Sequence, residues 1–210
     1  MNIVINDVDR PLVIKVASIP AARMQVYFID NEDYFQRKQV FRDEAGKFFE
    51  DNGERAVFFA RGVLETVKKL RWKPDIMHCQ GWISHILPIY LKKCYKDDPI
   101  FSETKVVLSL YNEIMDERFS DDIAEKACLP GITESDFDIM SKPDGMNLAK
   151  LASLYSDGII MASEDIPEEL KGFCEGLGRE ILPYFRIEDG DNGYIDTYND
   201  FYDRILNGQK

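Results

Sequence analysis

Basic residues are in short supply: 26 lysines and arginines face 38 aspartates and glutamates, for a formal charge of −12 at pH 7. With no basic stripe to neutralise a phosphate backbone, the composition argues against nucleic acid and against an anionic membrane as partners. No apolar run approaches the roughly 18 residues of a membrane-spanning helix. Met1 to Arg10 has neither the basic start nor the apolar middle of a signal peptide, so a cytoplasmic protein is expected. The four cysteines, Cys79, Cys94, Cys128 and Cys174, are far apart, with no Cys-x-x-Cys pair and no spacing of cysteines and histidines that completes a zinc site. They are expected to be reduced and structural. Internal repeats, low-complexity segments and linkers are also missing. What remains is an ordinary composition, 45% hydrophobic and 30% charged over 210 residues, enough for one sizeable α/β core in one domain.

The stretch from Trp72 to Pro88 organises the rest. Asp75 to Cys79 is a short apolar run suited to a strand buried in a parallel sheet, and Gln80 and Gly81 make the turn that follows. From Ile83 the apolar residues Ile86, Leu87, Tyr90, Leu91 and Cys94 recur at helical spacing, with Pro88 either kinking that helix or marking its first turn. In open α/β sheets the loop leaving the carboxyl end of a strand faces the ligand crevice, which makes His78 to Trp82 the first place to look for chemistry.

Upstream, Leu12–Ile19 and Met24–Asp30 predict an antiparallel hairpin around Pro20 to Arg23. An unpaired edge on that hairpin would invite a second copy of the chain. Asn31 to Gly53 is expected to be a long ordered loop whose phenylalanines either line a site or pin the loop to the body. Ala56, Phe59, Ala60, Val63, Leu64, Val67 and Leu70 predict an amphipathic helix over Glu54–Leu70. Lys105–Leu110 is a second β-branched run, and helix, strand, helix, strand in that order makes the two strands parallel, with Tyr111 and Asn112 beside Gln80 and Gly81. Signals weaken from Glu113 to Asp144, where Thr133 stands as a cap ahead of Asp136. Beyond lie a helix at Met146–Tyr155, a strand at Gly158–Ala162, a helix from Glu168 behind Pro167, a last strand at Ile181–Phe185, a loop at Asp189 to Asn192 and a final helix at Thr197–Leu206. The aspartates and glutamates at 116, 117, 121 and 122 lack calcium-loop spacing, and no metal is expected.

Several of these blocks, in order, resemble the bacterial glycogen and starch synthases. They are Val26 to Asn31 with Tyr34, Phe35 and Arg37; Asp51, Asn52, Arg55 and Phe59; Lys73-Pro74-Asp75-Ile76 through His78 and Trp82 to Pro88; Val106 to Asn112; and Ser156-Asp157-Gly158 to Ser163 with Glu169. The resemblance implies one half of a two-domain GT-B glycosyltransferase: a Rossmann-like parallel sheet with helices on both faces and an amino-terminal β-hairpin, residues 1–210 being a partial acceptor-side domain. It implies transfer of glucose from ADP-glucose to an α-1,4-glucan with retention, with α-glucan, a second copy or a separate synthase subunit as partners and no cofactor besides the sugar-nucleotide donor.

The chain also departs from the pattern. The family's Lys-x-Gly-Gly loop does not occur. Gly81 stands where the family has an aspartate, Tyr111 where it has a histidine, and Gln36 where it has another aspartate. A phenol donates a hydrogen bond but cannot share a proton near pH 7 as an imidazole does. Gly81 and Tyr111 are therefore degenerate catalytic positions, and glucosyl transfer by this chain alone is not expected. His78, Gln80, Trp82, Tyr111, Asn112, Tyr34 and Arg37 are the substrate-binding candidates. Each has a plainer alternative: His78 as a satisfied core histidine, Trp82 as packing between helix and sheet, Asn112 as a turn former. His85 faces away from the apolar stripe and is expected in solvent.

Overall fold

The computed structural model describes residues 1–186 and 192–208. The chain opens with strands β1 (Asn2–Ile5) and β2 (Val8–Pro11), an antiparallel pair that the sequence reading missed. Asn6 and Asp7, at φ 46° and 59°, form the two-residue turn between them. Positive φ at both central positions is the type I′ geometry whose twist matches a hairpin, and Asn and Asp tolerate it. Next come β3 (Val13–Ile19) and β4 (Met24–Asp30), paired antiparallel from Val13 opposite Asp30 to Ile19 opposite Met24, as expected. This ribbon touches the body mainly through half-buried Ile14 and Ile29, and Val16 and Phe28 are exposed.

The segment expected to be a long ordered loop contains helix α1 (Glu32–Phe35), capped by Asn31, whose side-chain oxygen accepts from the Tyr34 amide at 3.1 Å. The Asn-to-amide cap is the signal that short runs of charged and aromatic residues conceal. Phe41 and Phe48 then pack on Trp82, with centroids 6.3 and 6.2 Å away, so these aromatics pin the segment to the body.

Helix α2 (Asn52–Leu70) follows, ending where Arg71 turns to φ 53°. Its buried stripe runs through Ala56, Val57, Ala60, Leu64 and Val67, with Phe58 inside and Leu70 exposed, a rotation from the expected set. Strand β5 (Ile76–Gln80) leads into a single 3-10 turn at Trp82–Ser84 and then helix α3 (Leu87–Lys93), with Pro88 in its first turn rather than at a kink. Strand β6 (Lys105–Leu110), helix α4 (Ile123–Ala127), a 3-10 segment Glu134–Ser141 boxed by Thr133 and Asp136, and helix α5 (Gly145–Leu154) complete the middle. The chain ends with β7 (Gly158–Met161), α6 (Glu168–Gly176), β8 (Glu180–Leu182) and α7 (Gly193–Asn207). The last strand is shorter than expected and the last helix starts four residues earlier than Thr197. The loop expected at Asp189 to Asn192 lies, save for Asn192, outside the described residues.

Strands β5, β6, β7 and β8 form one parallel sheet in that order, with Gln80 beside Ser109 and Leu110 beside Met161. Alternation along β6 divides the core. Val106, Leu108 and Leu110 face the larger cluster containing residues of α2, α3 and α5, whereas Val107 faces Phe201 and Ile205 of α7. Helices therefore cover both faces, the Rossmann-like arrangement expected. On the second face α7 comes in close: a Cβ on Gly158 would lie 2.5 Å from Ile205 Cδ1.

His85 corrects the sequence reading. It is 3% exposed, and neither ring nitrogen has a hydrogen-bond partner. At the end of a 3-10 turn its side chain follows no continuous helical stripe, so helical phase misplaced it. Burial holds its pKa down at about 4, against an ordinary value of 6.5, so the folded protein keeps this imidazole neutral. Between pH 6.5 and 4 the unfolded chain binds the proton more readily, and stability falls as pH falls through that window. Urea titrations at pH 7 and pH 5 should show the wild type losing stability, about 2 kcal/mol of it from His85. His85→Leu should shrink the difference, leaving the part due to His78.

Candidate functional site

The site candidates from β5 and β6 meet at the carboxyl edge of the sheet. His78 sits on the α7 face of β5, where its Nε2 lies 2.7 Å from Ser109 Oγ and its Nδ1 2.7 Å from the Tyr202 hydroxyl. Burial lowers its pKa to about 4. Two residues on, the Tyr111 hydroxyl donates to Gln80 Oε1 at 3.3 Å, tying the ends of β5 and β6 together. The Asn112 amide donates to Asp165 at 2.9 Å and ties β6 to the segment after β7. Burial raises the Tyr111 pKa, with the nearby Glu113 carboxylate acting in the same direction.

Gly81 occupies φ 72°, ψ 154°, backbone that is essentially reserved for glycine. Nothing blocks a side chain there except Glu113, whose Oε2 would lie 3.6 Å from the added Cβ. That same oxygen accepts from the Trp82 amide at 3.3 Å. Glu113, from beyond the end of the next strand, thus sets a carboxylate beside the turn at position 81. Glu113, two residues beyond Tyr111, was missed; its place immediately after a strand expected to end at the crevice was the available signal.

Trp82 is 4% exposed, walled in by Phe41, Phe48 and Phe119. Tyr34 and Arg37 belong to a different cluster. The Tyr34 hydroxyl bonds Glu54, while Arg10 lies 5.3 Å over its ring. Arg37 grips Asp51 with two nitrogens, one at 2.8 Å, and stacks on Phe49 at 4.8 Å. Both side chains lock the segment from Asn31 to Asp51 against α2.

A cavity of about 480 Å³ opens beside the start of α5, lined by Asp116, Arg118, Lys142, Asp144, Asn147 and Glu169 among others. Its charges are largely matched. Lys142 pairs with Asp144 at 2.9 Å, Arg118 with Asp121 at 2.7 Å, and Asp144 also caps α5 by accepting from the Asn147 amide at 2.8 Å.

Residues 3–181 match the family model described as the starch synthase catalytic domain. The chain belongs to that family. Glycogen synthase of Chlorobium limicola is 41% identical over 109 residues, 51% of this chain and 22% of that protein. Glycogen synthase of Thermotoga maritima is 31% identical over 204 residues, 94% of this chain and 40% of its own length. This starch synthase family member therefore spans two fifths or less of either relative. Among solved structures, the catalytic domain of starch synthase IV from Arabidopsis thaliana, bound to ADP and acarbose, superposes with a TM-score of 0.64 over 88% of this chain and 39% of that one. At 16% identity that likeness shows the fold alone.

An aspartate at position 81 would force a side chain into the backbone region that Gly81 occupies. Gly81→Asp should cost about 1–3 kcal/mol, read as a lower urea midpoint, and should bring a second carboxylate against Glu113.

Proposed function

We propose that this chain is the acceptor-side half of a glycogen- or starch-synthase-type glucosyltransferase, that it holds an α-glucan in the cytoplasm, and that alone it transfers no glucose. The observation that carries this reading is the protonation chemistry at the strand ends. Efficient general acid or base catalysis needs a group whose pKa lies near the working pH. His78, the one imidazole there, is kept neutral between Ser109 and Tyr202 with a pKa of about 4. Gly81 has no side chain, and the phenol of Tyr111 is pushed further from neutrality by burial.

The donor makes a second demand. A departing nucleoside diphosphate needs cations aimed at it, and losing even one such stabilising group commonly costs about a hundred- to a thousand-fold in rate. Arg118 and Lys142 at the cavity beside α5 are already paired with Asp121 and Asp144. A separate synthase subunit, bringing the donor-side domain and its cations, would complete the clamp.

One observation favours an active chain instead. Glu113 places a carboxylate beside Gly81 and within reach of the Trp82 amide, where it would supply the charge lost at position 81. Incorporation of labelled glucose from ADP-glucose into glycogen by the purified chain separates the two. The expected result is no incorporation above a protein-free control, together with retention on an amylose column. Steady incorporation that Glu113→Gln abolishes would establish the active reading in its place.

A further inference from the structure

Helix α7 lies beyond the residues matched by the family model and carries three tyrosines at a spacing of four: Tyr194, Tyr198 and Tyr202. Side chains four apart share one helical face. Their rings form a ladder, with centroids 6.3 and 6.2 Å apart along it, and the middle ring lies 6.4 Å from His78. Between this ladder and the end of β5 runs a groove of about 350 Å³, to which Gln80 and Asn199 contribute amides. Tyr198 also walls a second cavity of about 330 Å³, shared with Tyr184, Phe185 and Arg186, so the depression continues past the ring.

Charge decides what suits the first groove. In a chain with 30% charged residues and a net charge of −12, none of the described residues that line it carries an acidic or basic side chain that is charged near neutrality. His78 is neutral, and burial pushes the Tyr198 and Tyr202 phenols further toward the protonated form. Among the described residues a nucleotide diphosphate would find no cation in this first groove; Arg186 lines the second cavity, beyond Tyr198. A neutral polyol fits: aromatic faces take the apolar C–H faces of a sugar ring, and amides donate to and accept from its hydroxyls. Tyr194 is 37% exposed, so a ring face is open to such a ligand.

We propose that the tyrosine ladder of α7, with Gln80 and Asn199, is a binding groove for a neutral oligosaccharide chain. The groove gives the polyol chemistry; the α-1,4 linkage rests on the function proposed above. Two cavities meeting at Tyr198 suit several linked sugars rather than one. The groove also abuts the strand-end cluster, because Gln80 bonds Tyr111.

Calorimetric titration of the full chain with maltoheptaose tests this. Tyr194→Ala and Tyr198→Ala should each weaken binding about three- to tenfold, the worth of one aromatic contact. Tyr194→Phe, which keeps the ring and drops the hydroxyl, should bind nearly as the wild type does. Trp72→Ala removes an aromatic that is 59% exposed elsewhere, and should change nothing. Saturating ADP should not displace the sugar. Wild-type affinity in both alanine variants, with their urea midpoints intact, overturns the groove and leaves the proposed function standing. No binding by the wild type overturns the glucan reading of the domain, and the groove with it. Displacement by ADP assigns the groove to the nucleotide and overturns the proposal.

Discussion

A parallel sheet must be covered on both faces, and among the described residues helix α7 closes the second, with Phe185 packed beside it. Val107, Ile160 and Leu182 point away from the main core and would meet water but for Phe201 and Ile205 of α7. Phe201 is fully buried and Ile205 nearly so, and the absence of a side chain at Gly158 lets the helix approach. Burying two such residues is worth about 1.5–3 kcal/mol apiece. The side chain of His78 lies on this same face, so the packing that closes the sheet also dries the imidazole.

The chemistry of the strand ends follows from that coverage. His78 shares both ring nitrogens with hydroxyls, one from β6 and one from α7, an arrangement that satisfies a neutral ring without any charge to stabilise the protonated one. A histidine meant to exchange protons near pH 7 needs a carboxylate or open solvent beside it. The strand-end carboxylate in this chain, Glu113, stands instead over the turn at Gly81 and Trp82, where it accepts the Trp82 amide. The charge stands beyond the end of the neighbouring strand and not in the turn, where the backbone at Gly81 adopts a conformation that an aspartate would resist.

The sequence made the parallel strands legible because buried β-branched runs bounded by Pro74, Gly81 and the Tyr111-Asn112 pair leave little choice of element. Strand-end residues could be placed together for the same reason: β5 and β6 are joined by one short crossover. Other features, α1 and Glu113 among them, escaped. The β1 and β2 hairpin hides in a stretch where charged residues interrupt the alternation, although Asn6-Asp7 marks its turn. His85 was assigned by extending helical phase through a 3-10 turn, where that phase does not hold. Trp82, Tyr34 and Arg37 drew attention as polar or aromatic groups in family blocks. In the fold their neighbours are other aromatics, Glu54 and Asp51, contacts between distant segments that no local pattern encodes.

The three tyrosines of α7 were visible at their spacing all along, yet spacing alone cannot distinguish a core stripe from a surface ladder. What distinguishes them is how burial falls along the face that the tyrosines share with Phe201 and Ile205. Phe201 and Ile205 fill the contact with the sheet and Tyr198 and Tyr202 pack partly against them, whereas Tyr194, at the start of the helix, is exposed. A helix that only sealed the sheet would present polar side chains there, because exposed aromatic surface adds nothing to closure. Closing the sheet accounts for Phe201 and Ile205, and the hydrogen bond to His78 accounts for Tyr202; among the described residues the ring of Tyr194 meets no other ring than that of its neighbour Tyr198.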